Sequence, residues 1–169
     1  VPGTPEFDLF IKEVRREMTV KAGQKCTAIR RVIVPENLVE DVQIALGKQL
    51  AKTTIGDPTD ERVRMGALVS RAQVEEVRRS VAKIAEESDL LYGSLDGDFE
   101  LIGADREKGA FLSPMLFLNP DPLNRTATHV TEAFGPVSTI MPYQNMDEAV
   151  QLAQMGKGSL VSTIATADD

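Results

Sequence analysis

Apolar residues along the chain recur in two ways, at intervals of three and four or as short contiguous runs, and the two patterns predict different elements. Phe7, Phe10, Ile11 and Val14 fall on one face of a helix over about Pro5 to Met18, with Thr4 placed to cap it and proline at its first position. Leu38, Val39, Val42, Ala45, Leu46, Gln49 and Leu50 mark a second amphipathic helix after Pro35, broken by Gly56, Asp57 and Pro58. Val74, Val77, Val81, Ile84 and Ala85 mark a third, capped by Ser70 and reaching about Glu87. Met146 to Gln154 is a further candidate helix.

The contiguous runs predict strands. Arg31 to Val34 starts one that Pro35 stops, Ala110 to Leu118 forms another around Pro114, and Val137 to Tyr143 a third. Ser159 to Thr166 closes the chain as a β-branched run, whereas Leu90 to Gly109, with Gly93, Gly97, Gly103 and several acids, suits a hairpin or an irregular surface loop. Strands alternating with helices predict an α/β fold, an open and largely parallel sheet flanked by helices. Residues 1–169, at 42% hydrophobic content, suffice for one core of ordinary size and are expected to form a single domain. In such sheets chemistry gathers beyond the carboxyl ends of the strands, where the loop around Cys26 and the segment around Glu132 are expected to meet.

Charge narrows the partners. With 26 acidic against 19 basic residues and a net charge of −7, no nucleic-acid or anionic-membrane partner is expected. No apolar run approaches a spanning helix and the first residues lack a signal-peptide pattern, so no membrane association is expected either. One cysteine cannot form an internal disulfide, which suits a cytoplasmic location.

That cysteine, Cys26, is the candidate nucleophile. Gly23 can adopt backbone angles other residues resist, and Gln24 to Arg31 can form a short helix with Cys26 in its first turn, beside unsatisfied amides. Those amides, with Lys25, Arg30 and Arg31 nearby in sequence, would favour thiolate. Two other readings stand beside it: a non-catalytic assembly module or remnant whose inert thiol is a small core hydrophobe, and a hydrolase or acyl transferase pairing Cys26 with His129, the sole histidine. Asp96, Asp98, Glu100 and Asp105 lack the ligand order of a calcium loop and suit a solvated surface. One Cys and one His fall short of a transition-metal ligand set, so no metal site is expected.

Three segments carry a resemblance. Gly23-Gln24-Lys25-Cys26-Thr27 resembles the G-Q-x-C-T active-site signature of the aldehyde dehydrogenase superfamily, and Glu132-Ala133-Phe134-Gly135-Pro136-Val137 resembles its E-x-F-G-P-V segment. Between them, Gly56-Asp57-Pro58 and Met65-Gly66-Ala67-Leu68-Val69-Ser70 are similar to the connector G-D-P…G-P-L-I-S. The resemblance implies a fold of the family's catalytic-domain type and covalent catalysis. Cys26 would attack the aldehyde to give a thiohemiacetal whose oxyanion is held partly by the Cys26 amide, hydride would pass to a nicotinamide, and water would hydrolyse the thioester left on Cys26. Glu132 would bind cofactor ribose hydroxyls and Phe134 would lie beside the nicotinamide.

The resemblance covers only the later part of such an enzyme. The family's glycine-containing cofactor turn, its E-L-G-G segment with the general-base glutamate, and the oxyanion-hole asparagine have no counterpart in these residues. The chain is therefore expected to lack most of the nucleotide-binding domain, to bind no cofactor alone and to show little activity, NADP or NAD serving the full-length parent. Pro2 to Lys21, running into the cysteine motif and Ile29-Arg30-Arg31, is similar to the branch that acts in bacterial phenylacetate degradation, where the dehydrogenase can be fused to a hydratase opening an oxepin-CoA ring. That implies a CoA-linked semialdehyde as substrate. The family's habit of assembling through dimers implies a homo-oligomer.

Overall fold

The computed structural model describes residues 1–97 and 99–167. Four strands form one sheet: β1 (Arg31–Pro35), β2 (Asp89–Tyr92), β3 (Met115–Leu118) and β4 (Val137–Tyr143), in the order β1-β4-β3-β2. β4 runs parallel to both neighbours, with Arg31 of β1 opposite Thr139 and Met115 of β3 opposite Val137. β2 pairs antiparallel with β3, so the sheet is largely parallel, as expected. Central β4 is buried from Val137 to Met141, as a strand covered on both faces must be.

The alternation of side chains along the strands builds a separate core on each face. Leu116 of β3, Ile140 of β4 and Val32 and Val34 of β1 pack with α1 (Pro5–Thr19) and α2 (Val39–Leu50) through Ile11, Val14, Met18, Val42, Leu46 and Leu50. Met115 and Phe117 of β3 and Val137 of β4 turn the other way, onto Val74, Val77, Val81 and Ile84 of α3 (Arg71–Ala85). A short turn, α4 (Ala127–Val130), precedes β4, and α5 (Met146–Met155) follows it.

Thr4 and Ser70 cap their helices as expected, the Thr4 hydroxyl accepting from Phe7 N and the Ser70 hydroxyl from Gln73 N at 3.1 Å, and the Asn145 side chain caps α5 by accepting from Glu148 N at 3.0 Å. Each satisfies an amide that the helix cannot.

Three expectations are corrected or refined. No helix spans Gln24 to Arg31: Val20–Gly23 is a 3₁₀ turn, and Cys26 and Thr27 form a separate turn. The Thr139 amide donates to the Arg30 carbonyl and the Ser138 hydroxyl to the Ile29 carbonyl, so the chain is drawn alongside β4 before β1 begins instead of winding into a helix. Of the described residues between Leu90 and Gly109, the first belong to β2 and the others form an irregular excursion pinned where Asp57 N donates to the Ile102 carbonyl. Ser159 to Thr166 forms no strand and lies exposed, Ile164 at 86%. No helix among the described residues is long and apolar enough to cross a membrane.

Phe117 is fully buried under α3. Phe117→Ala is expected to cost about 3–5 kcal/mol, read as a lower urea midpoint at unchanged slope.

Candidate active site

The chain leaves α1 through three successive residues with positive φ, Lys21 (53°), Ala22 (51°) and Gly23 (69°). For the first two this left-handed conformation is costly, and surrounding contacts hold it. The reversal carries the backbone into the Cys26 turn, where the thiol is exposed and free. Neither the sulfur nor the Cys26 amide has a hydrogen-bond partner among the described residues. Cys26 is therefore not a core residue, and its amide is available to an oxyanion.

Glycine is required at Gly23 for a second reason. A Cβ there would overlap the Gly135 carbonyl, so the two backbones touch directly. Gly135 is itself pressed on α3, where an added Cβ would come within 2.8 Å of Val77 Cγ2. The cysteine motif, the Glu132–Val137 segment and α3 thus stack through two missing side chains.

Side chains fasten the same assembly. Gln24 accepts from Val69 N at 3.0 Å, tying the cysteine motif to the start of α3, and Gln73 Nε2 donates to the Phe134 carbonyl at 3.0 Å. Arg30 donates to the carbonyls of Gly23 at 2.6 Å and Gly135 at 2.7 Å, and its Nε lies 3.7 Å from Glu132 Oε1. Its guanidinium also sits 5.3 Å from the centre of the Phe134 ring. Burial pushes the Arg30 pKa below its usual value, and the Glu132 charge works against that shift.

The structure therefore brings the Cys26 turn, Glu132 and Phe134 into one neighbourhood through Arg30, which sequence reasoning treated as a charge favouring thiolate and as part of a family likeness, without these partners. The three cations near Cys26 in sequence are engaged elsewhere. Lys25 pairs with Glu17 of α1 at 2.5 Å, and Arg30 holds carbonyls. Arg31 reaches the last carbonyls of α5, at Leu152 (2.7 Å) and Ala153 (3.3 Å). Gln24 and Gln73 were likewise missed as ties, because a glutamine in a motif carries no local sign of its distant partner.

His129 does not pair with Cys26. Its Nδ1 accepts from Arg31 at 3.2 Å and its Nε2 donates to the Pro122 carbonyl at 2.8 Å, a pattern that fixes the neutral ring. Burial first, then the Arg31 charge, push its pKa below the ordinary value, against the Pro122 bond. Among the described residues no group of three or more His, Cys, Asp or Glu is placed to hold a metal ion. Asp98, one of the four acids considered for a calcium loop, lies outside the described residues.

The profile of the aldehyde dehydrogenase family matches residues 3–169. The chain belongs to this family. It is 44% identical over 167 residues to a 3,4-dehydroadipyl-CoA semialdehyde dehydrogenase of Aromatoleum evansii, covering 99% of this chain and 32% of that protein. Aldehyde dehydrogenase C of Pseudomonas syringae, solved with NAD+ and octanal, superposes with a TM-score of 0.75 at 26% identity, over 92% of this chain and 30% of that one. An NAD-dependent aldehyde dehydrogenase of Sinorhizobium meliloti gives a TM-score of 0.75 at 31% identity, over 88% and 28%. The chain thus spans about a third of the length of these aldehyde dehydrogenases.

Gly23→Ala is expected to destabilise by about 1–3 kcal/mol in urea titration, through φ and backbone overlap together. Gly47→Ala, in α2 with open space around it, should instead stabilise by about 0.5–1 kcal/mol. Because the folded chain holds His129 neutral, the unfolded chain takes up a proton first as pH falls below about 6.5. The stability His129 contributes is complete above that pH and is lost as pH falls through its lower folded pKa, a slope that should be missing from His129→Gln.

Proposed function

We propose that this chain is the catalytic part of an NAD(P)-dependent aldehyde dehydrogenase that oxidises a CoA-linked semialdehyde to its acid, with Cys26 as nucleophile. The observation that carries this reading is the exposed Cys26 turn, clamped by Gly23 and Arg30 against the Glu132–Phe134 segment. The substrate class rests on the Aromatoleum evansii relative, whose name specifies a CoA semialdehyde, and on the likeness of the first residues to the phenylacetate-degradation branch.

In this reading the Cys26 thiolate attacks the aldehyde carbon, forming the S–C bond while the carbonyl π electrons move to oxygen. The unpartnered Cys26 amide donates to that oxyanion. Glu132, with 60% of its side chain exposed, offers its carboxylate to ribose hydroxyls, and the half-buried Phe134 ring offers an apolar face beside a nicotinamide. When bound, the cofactor supplies the hydride acceptor for the oxidation. Cys26 Sγ is the leaving group when water takes the acyl carbon, which returns the thiolate. No residue of this chain is assigned to activate that water.

Residues 1–169 act as a single catalytic unit in this reading, and a nucleotide-binding part completes the site. The exposed apolar side chains Val69, Val130, Leu160 and Ile164 favour homo-oligomeric association. An exposed free thiol suits a reducing cytoplasm.

In the parent enzyme, Cys26→Ala is expected to lower aldehyde-dependent NAD(P)H formation at least about a thousandfold, with the acyl adduct on Cys26 missing from mass spectra of quenched reactions. The isolated chain should show little activity. Retained turnover in the variant would remove Cys26 from the nucleophile role.

A further inference from the structure

Arg30 lies outside the cysteine and Glu132–Val137 signatures, yet it contacts residues of both. A guanidinium carries five N–H donors in a fixed plane, so one arginine can serve partners on opposite sides only if they lie in that plane. Here Nη1 donates to the Gly135 carbonyl at 2.7 Å, and Nη2 donates to the carbonyls of Gly23 at 2.6 Å and Lys25 at 3.4 Å. These are the residues three before and one before Cys26. The side chain is only 16% exposed.

Of the two N–H groups left, the one on Nε is buried and unsatisfied. Nε–H is buried and has no hydrogen-bond acceptor among the described residues, while Glu132 Oε1 stands 3.7 Å away, within ion-pair range and beyond hydrogen-bond reach. A carboxylate movement of about 0.7 Å would bring it to about 3.0 Å. Glu132, largely exposed, can thus close onto Nε or turn outward to a ligand.

We propose that Arg30 is a positioning residue that couples Glu132 to Cys26, so that what the Glu132 carboxylate binds is felt at the thiol. With Glu132 closed, the guanidinium divides its charge between a carboxylate and three carbonyls. With Glu132 turned to a hydroxyl-bearing ligand, the same charge bears on the carbonyls that shape the Cys26 turn. The coupling is reciprocal, so modification of Cys26 also changes what Glu132 prefers to bind. The identity of that ligand as a cofactor ribose rests on the function proposed above; the coupling itself concerns only residues of this chain.

The test is a double-mutant cycle read by thiol chemistry in the folded chain, because a purely structural tie would leave that readout unmoved. The second-order rate of Cys26 alkylation by iodoacetamide is measured from pH 6 to pH 9 in the native sequence, Glu132→Gln, Arg30→Lys and the double variant. Glu132→Gln alters an exposed side chain and should leave the melting temperature in place while changing the alkylation rate at least twofold. In Arg30→Lys, an ammonium cannot reach the Gly23 and Gly135 carbonyls as a fork, and adding Glu132→Gln should change nothing further. An unchanged rate in Glu132→Gln overturns the proposal, as does the same change in both backgrounds. If Arg30→Lys fails to fold, Arg30→Gln supplies the second background, and an unchanged rate in Glu132→Gln overturns the proposal in either case. The functional reading fails separately, on turnover retained by Cys26→Ala in the parent.

Discussion

The site depends on one close approach, the backbone of Gly23 against the backbone of Gly135, with no side chain between them. Two segments more than a hundred residues apart can touch this closely only if position 23 is glycine and the facing carbonyls find donors, while glycine at 135 lets its segment sit on Val77 of α3. Arg30 supplies those donors, taking a carbonyl from each segment. Gln24 and Gln73 add a second pair of ties to the start of α3 and to the Phe134 carbonyl. The left-handed Lys21 and Ala22 are tolerated because this arrangement holds them from both ends.

Electrostatics around the cysteine are accordingly different from what proximity in sequence implies. Lys25, Arg30 and Arg31 each have an anionic or carbonyl partner, and each joins the turn to a different element: α1, the Glu132–Gly135 segment and the end of α5. They act as fasteners. Of the direct influences on the sulfur, its exposure and its unpartnered backbone amide remain.

Much of the scaffold could be read from the chain. The caps at Thr4 and Ser70, the apolar faces of α1, α2 and α3, and the full length of β4 follow from local pattern, because each is set by residues within a few positions. What failed was set at long range. Gln24 to Arg31 has helical potential, but Ile29 and Arg30 are drawn alongside β4 by Ser138 and Thr139, partners more than a hundred residues away. β2 is only four residues long and lacks alternation, so its pairing with β3 left no mark in the sequence. Cys26, Glu132 and Phe134 were found as motif residues, whereas Arg30 was noticed for its charge and in a family likeness but not as a tie, since its partners at Gly135 and Glu132 lie far along the chain.

The central claim is that the Cys26 turn and the Glu132–Val137 segment form one cooperative unit. Native-state hydrogen exchange of the amides of Lys25, Ala28, Gly135 and Val137, all hydrogen-bonded, tests it directly. The account predicts a common opening free energy for the four, lost together when Arg30 is replaced by alanine. Exchange of Lys25 and Ala28 at the rate of a free loop, with Gly135 and Val137 still protected, would contradict it.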